Sequence, residues 1–189
     1  MDLLKKKILA EGSVEEGNIL KVDSFLNHQL DVAFLNEVGK EFKRLFEDRE
    51  ITKILTLETS GIAIASIAAQ YFNVPVVFAK KIATKNLDKA TYESDVYSYT
   101  KGRTYKIKVS KKYITSDDRI LIIDDFLANA QAALGLMDII NKAGATLEGI
   151  GIVIEKGFQD GGELLRKQGI NLKSLVIVDS LEVGNIKFR

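Results

Sequence analysis

The run Ile120-Leu121-Ile122-Ile123, closed by Asp124-Asp125, constrains this chain more than any other stretch. An unbroken apolar segment rich in β-branched residues is the pattern of a strand buried on both faces, as in the middle of a parallel sheet. The segment hands two adjacent carboxylates to Phe126-Leu127-Ala128-Asn129-Ala130-Gln131-Ala132, small residues that open a helix. In open α/β sheets, ligands gather at the carboxyl ends of strands, where the next helix presents unpaired N–H groups and a partial positive charge. From spacing alone two chemistries stand side by side. The acids hold Mg²⁺ or merely solubilise a strand end, or they hold sugar hydroxyls while the backbone amides after them hold a phosphate.

The rest of the chain supplies the frame. Helical spacing of Val32, Leu35, Val38, Phe42, Leu45 and Phe46 predicts an amphipathic helix over 31–48, with Asp31 as its N-cap. Strands are expected at 54–57, 75–78, 119–123, 146–155 and 174–178. Helices are expected at 2–10, 62–71, 129–143 and 162–168, with Gly144 as a C-terminal stop, and an extended piece at 18–22. The alternation of strand and helix gives an α/β fold, a doubly wound parallel sheet. The polar, Tyr-, Thr- and Lys-rich stretch at 83–112 interrupts it as a protruding β-hairpin or flap.

Bulk properties exclude several classes. The 189 residues, 46% hydrophobic, suit one domain spanning 1–189. Twenty-seven Lys and Arg against 26 Asp and Glu leave a net charge of +1, so no global field draws nucleic acid or an anionic membrane. No cysteine and a single histidine, His28, leave no Cys nucleophile and no Cys- or His-rich metal cluster. No stretch approaches the ~20 apolar residues of a membrane span, and the apolar run after Lys5-Lys6-Lys7 is too short for a secretory signal. A cytoplasmic protein with no nucleic-acid or membrane partner is the expectation.

Two acids after a strand, then about five small or polar residues before a helix, resemble the phosphoribosyl-diphosphate signature of type I phosphoribosyltransferases. Phe126-Leu127-Ala128-Asn129 behind the acids narrows the resemblance to the xanthine phosphoribosyltransferases of bacterial purine salvage. So do Ile19 through Gln29, with Leu26-Asn27-His28-Gln29 as the most specific part, Ser60-Gly61-Ile62-Ala63, Val77-Phe78-Ala79-Lys80-Lys81, and Glu155-Lys156-Gly157-Phe158-Gln159-Asp160-Gly161. The resemblance implies a type I phosphoribosyltransferase fold with a β-flap and a small base-binding hood from about 1–30 and 156–189. It implies catalytic Asp124 and Asp125 on the ribose hydroxyls. Ala128, Asn129, Ala130, Gln131 and Ala132 would cradle the 5-phosphate, and Ser60 and Gly61 would contact the diphosphate. Leu20, Asn27 and Lys156 would read xanthine, the Lys ammonium donating to the 6-oxo oxygen. It further implies Mg²⁺ carried mainly by the diphosphate, a homodimer, and a diphosphate role for Lys80 and Lys81. Phe158 is a candidate to stack on the base. The family often has Gly where Ala130 stands, so a positive φ there would cost roughly 1 kcal/mol. Guanine, hypoxanthine or adenine as substrate, or a non-catalytic regulator sensing phosphoribosyl diphosphate, are the alternative readings.

Overall fold

A computed structural model of the chain describes residues 1–17, 19–81, 90–99, 102–182 and 185–189. Its centre is a six-stranded sheet. The strands are β3 (Lys53–Leu57), β4 (Val76–Ala79), β7 (Arg119–Leu127), β8 (Thr146–Lys156), β9 (Leu172–Glu182) and β10 (Asn185–Phe188), in the order β10-β9-β8-β7-β3-β4. The four pairings that join β9, β8, β7, β3 and β4 are parallel, and β10 closes the edge antiparallel to β9. The apolar run of β7 divides by the period of two that a strand imposes. Leu121 and Ile123 join one core with helices α1 (Asp2–Glu11), α2 (Val32–Leu45) and α3 (Ser60–Phe72), whereas Ile120 and Ile122 join a second core beneath α4 (Gln131–Ala143). The predicted doubly wound sheet is the observed one.

Local signals account for most element ends. Asp31 caps α2 by accepting the Phe34 N–H at 3.0 Å, and Gly144 stops α4 at φ 71°. Several boundaries differ from expectation, among them the end of α2, which stops at Leu45 and not at 48. Strand β7 does not end at Ile123 but runs through the acids to Leu127, because Phe126 and Leu127 still pair with Ile154 and Glu155 of β8. Helix α4 correspondingly begins at Gln131 and not at 129, since Ala130 sits at φ 60°. At the C-terminal side β9 is longer than the expected 174–178, and β10 was not expected at all; its alternating, half-exposed residues carry too little apolar signal.

Two small β units flank the sheet. Strands β1 (Ser13–Glu15) and β2 (Ile19–Lys21) pair antiparallel and lead into a π-helical turn, Asp23–Asn27; Asn18 of the expected extended piece lies outside the described residues. Strands β5 (Thr91–Ser98) and β6 (Arg103–Ser110) form the expected hairpin, while residues 83–89 and 100–101 of the flap lie outside the described residues. The described hairpin is seated, not free-standing. A Cβ on Gly135 of α4 would stand 2.5 Å from Val96 Cγ2 and 3.2 Å from Ile107 Cδ1, so the absent side chain is what lets hairpin and helix close up. Lys142 of α4 also donates to the Glu93 carbonyl at 2.7 Å, and Lys80 and Lys108 exchange backbone bonds that tie the hairpin to β4. No described helix is long and apolar enough to cross a membrane.

Candidate active site

Where β7 passes into α4, a cavity of about 240 Å³ opens, lined by Asp124, residues 126–133, Lys156, Gln159 and the hairpin residues 96–99 and Tyr105. The acids come from the end of β7, the loop from the link to α4, and Lys156 from the end of β8, the neighbouring strand. The hairpin roofs all three. Thus the structure brings together Asp124, Ala128, Asn129, Ala130, Gln131, Ala132 and Lys156.

The acids are held by their own backbone. Asp124 Oδ1 accepts the Asp125 N–H at 3.0 Å, and Asp125 Oδ1 accepts the Phe126 N–H at 2.9 Å, which fixes both side chains at the strand end. Burial, reinforced by the negative charge of Asp125, pushes the Asp124 carboxyl well above the ordinary carboxylate range, while the Lys81 ammonium opposes the rise. Burial, together with the Asp124 charge, also pushes the Tyr105 hydroxyl upward. A site that crowds like charge in poor solvent is one that favours a cationic or hydroxyl-bearing guest.

The loop after the acids can cradle an anion. Ala130 at φ 60° reverses the chain so that residues 128–130 precede the first turn of α4, whose N–H groups lack intrahelical partners. The loop is braced from below. Gly161 donates its N–H to the Ala128 carbonyl at 3.0 Å, from the first residue of α5 (Gly161–Lys167).

Ser60 and Gly61 open α3 at the end of β3, beside β7. Gly61 abuts the acids, since a Cβ there would lie 2.1 Å from Thr56 Oγ1 and 2.9 Å from Asp124 Oδ1. Among the described residues the buried Thr56 hydroxyl has no hydrogen-bond partner. The turn between β3 and α3, with a cis Glu58–Thr59 peptide, is closed by the Lys81 N–H donating to the Glu58 carboxylate.

Lys156 has no carboxylate within ion-pair distance among the described residues, and burial lowers its ammonium below the usual lysine value. Its Nζ stands 5.8 Å from the centroid of the Phe126 ring. Leu20 and Asn27 lie outside the cavity lining: Leu20 is buried in the first core, and Asn27 ends the π-helical turn with its Oδ1 buried and without a hydrogen-bond partner among the described residues. Phe158 faces a different depression, with Arg166 and Arg189, and is not in the cavity with Lys156. Its place as the site's aromatic is taken by Phe126, which reasoning from sequence passed over although it directly follows the acids. Tyr105, Gln159 and Gly161 were likewise unassigned; only their place in the hairpin and in the Lys156 loop hinted at them.

Below Lys156, Glu155 is 2% exposed and binds Arg166 through two bonds of 2.6 and 2.7 Å, and it accepts the Ser174 hydroxyl. Burial pushes the Glu155 carboxyl up, but the Arg166 guanidinium and the Ser174 hydroxyl outweigh it and hold it below its ordinary value. This network fixes the end of β8 against α5.

Comparison with known proteins identifies the family and the fold. The family model for the phosphoribosyl transferase domain matches residues 23–179. A protein of Clostridium novyi (strain NT) named xanthine phosphoribosyltransferase is 60% identical over 189 residues, with all of both chains covered. One of the same name from Clostridioides difficile (strain 630) is 62% identical over 190 residues, again with full coverage. Among solved structures, adenine phosphoribosyltransferase from Leishmania tarentolae superposes with a TM-score of 0.77 at 18% identity, covering 96% of this chain and 90% of that one. The enzyme from Giardia lamblia in complex with 9-deazaadenine gives 0.76 at 21% identity, covering 92% and 97%. These distant structures speak for the fold, and the sequence relatives speak for the family: the chain belongs to the phosphoribosyltransferases and has the type I fold.

Proposed function

We propose that this chain transfers the 5-phosphoribosyl group of phosphoribosyl diphosphate to xanthine, giving xanthosine monophosphate and diphosphate. The observation that carries the reading is the single cavity in which Asp124, the amide-rich loop and Lys156, a lysine with no carboxylate partner among the described residues, meet. The full-length relatives named xanthine phosphoribosyltransferase support the choice of base.

In this reading Asp124 and Asp125 accept hydrogen bonds from the ribose 2- and 3-hydroxyls. Residues 128–132 hold the 5-phosphate on backbone N–H groups, and Ser60 and Gly61 hold the diphosphate. Lys156 donates to the 6-oxo oxygen, while Asn27 and Leu20 complete the base site from the hood. The purine nitrogen attacks C1 as the diphosphate leaves, and positive charge that develops on the sugar ring is stabilised by the two carboxylates. No covalent nucleophile is required, so the enzyme's contribution is positioning and electrostatics. The Tyr-rich hairpin excludes water that would hydrolyse the activated sugar.

The adjacent carboxylates are hard oxygen donors that suit Mg²⁺ shared with substrate oxygens, and among the described residues no larger set of acids or His converges into an all-protein cage. Bound with the diphosphate, the ion would neutralise charge on the leaving group. The reading also includes a homodimer working in the cytoplasm, with Lys80 and Lys81 near the diphosphate, as the family resemblance implies. Initial rates with xanthine, guanine, hypoxanthine and adenine test it. Xanthine is expected to give the highest kcat/KM, and a preference for adenine would overturn the role of Lys156.

A further inference from the structure

Thr56 is wholly buried in β3, and among the described residues its hydroxyl has no hydrogen-bond partner. A buried hydroxyl in that position is costly unless something completes it. Gly61 shows where it is aimed. The Cβ that Gly61 lacks would stand 3.4 Å from Thr56 Cβ but 2.1 Å from Thr56 Oγ1, and 2.9 Å from Asp124 Oδ1. The hydroxyl therefore points into the space where β3, the first turn of α3 and the end of β7 come together, and Asp124 borders the same space. Asp124 Oδ1 accepts the Asp125 N–H at 3.0 Å, and a carboxylate oxygen has room for a second donor. Thr56 is not in the cavity lining whereas Asp124 is, so the hydroxyl reaches a substrate only through the acid.

We propose that Thr56 is a positioning residue for Asp124: with the ribose bound, its hydroxyl donates to Asp124 Oδ1 across the space left by Gly61 and fixes the carboxylate in the orientation that meets the sugar. This rests on the phosphoribosyl-transfer reading above. A single N–H holds Oδ1 at one point, about which the carboxylate can rock, and a second donor from the neighbouring strand removes that freedom. Hydrogen bonds to a charged acceptor are the stronger kind. The β-branched carbon of Thr56 restricts χ1, so the hydroxyl keeps its direction. The absence of a side chain at residue 61 acquires a purpose here, because a methyl group would stand between donor and acceptor. Positive charge on the sugar ring is largest in the transition state, so a misplaced carboxylate loses more there than with substrate merely bound. The effect belongs in kcat.

Two variants separate this role from a structural one. Thr56→Val keeps the shape and removes the donor, whereas Thr56→Ser keeps the donor and removes the methyl group. Melting temperatures without substrates, calorimetric affinity for phosphoribosyl diphosphate, and kcat and KM for xanthine would be measured on the full chain and on both variants. Thr56→Val should melt no lower than the unsubstituted protein, because a methyl group replaces a hydroxyl that has no partner. Its kcat should fall about tenfold or more, the worth of one charge-assisted hydrogen bond, with KM for xanthine held within about twofold. Thr56→Ser should melt lower, for want of the buried methyl group, yet keep kcat within about threefold. Stability and turnover thus move in opposite senses across the pair. A kcat for Thr56→Val within twofold of the unsubstituted value, a loss of turnover in Thr56→Ser as large as in Thr56→Val, or a lower melting temperature for Thr56→Val overturns the Thr56 assignment alone. An unsubstituted protein that binds phosphoribosyl diphosphate but transfers its sugar to no purine overturns the transfer reading, and this assignment with it.

Discussion

Gly161 and Ala128 meet backbone to backbone: the Gly161 N–H donates to the Ala128 carbonyl at 3.0 Å, and a Cβ on Gly161 would stand 2.2 Å from that same oxygen and 2.6 Å from the Ala130 nitrogen. Neither atom belongs to a side chain that can swing aside. Gly161→Ala must therefore move the loop at 128–130 or the start of α5. The expected outcome is a rise of about tenfold or more in KM for phosphoribosyl diphosphate, with a loss of about 1–3 kcal/mol in stability. Steady-state kinetics alongside urea unfolding would check it.

The acid pair sets function against stability. Because the folded state raises the Asp124 carboxyl, the folded protein binds more protons than the unfolded chain above pH 3.8, and stability falls as pH rises toward the folded value. Asp124→Asn removes that penalty. We expect it to raise Tm at neutral pH by about 2–4 °C, corresponding to about 1 kcal/mol, while activity drops by orders of magnitude. Asp125→Asn should leave the fold intact with a comparable loss of turnover. Calorimetric scans and initial rates on both variants decide this, and a fall in Tm for Asp124→Asn would contradict the electrostatic account.

Ala130 occupies a conformation that L-residues avoid, yet it is 3% exposed and packs in the second core. Relief of the left-handed strain in Ala130→Gly is worth about 1 kcal/mol, and loss of a buried methyl costs about 0.8 kcal/mol. The two nearly cancel, so unfolding free energy should change by less than about 0.5 kcal/mol. Ala130→Val, β-branched at the same φ, gains no relief and should lose about 1–3 kcal/mol. Denaturant titrations of the pair measure both signs.

Arg166→Met would leave the Glu155 carboxylate buried without its bidentate partner. In the unsubstituted protein the folded-state carboxyl is depressed, so this pair's stabilisation is present above pH 4.5 and is lost as pH falls through the folded value. In the variant, burial acts without the guanidinium and raises the carboxyl, so the same contribution changes sign. Near neutral pH the variant should be less stable by about 2 kcal/mol, short of the full cost for a wholly buried pair because Arg166 is partly exposed. The deficit should narrow as pH is lowered from 7 to 4, and unfolding curves across that range would show it.

The strand with its acids was legible because burial on both faces and the paired carboxylates are written in consecutive residues, and so was the loop of small residues that follows. The exact end of that strand was not. Pairing of Phe126 and Leu127 with β8 is a long-range fact, and the local sequence around Ala130 reads as a good helix start until its positive φ is known. Asp31, Gly144 and the hairpin were found from capping and alternation. Strand β10 and the brace from Gly161 depend on partners far along the chain, and no local pattern announces them. Phe126 was hidden by its own neighbours, because the acids beside it drew the chemical argument to themselves.

Seating of the hairpin on Gly135 means that the roof over the cavity and part of its floor belong to one rod. Tilting α4 would turn its first turn and the hairpin it bears together, like the jaws of a caliper on a common beam. Widening that contact with a bulkier side chain would therefore change the width of the cavity without touching Asp124 or Lys156.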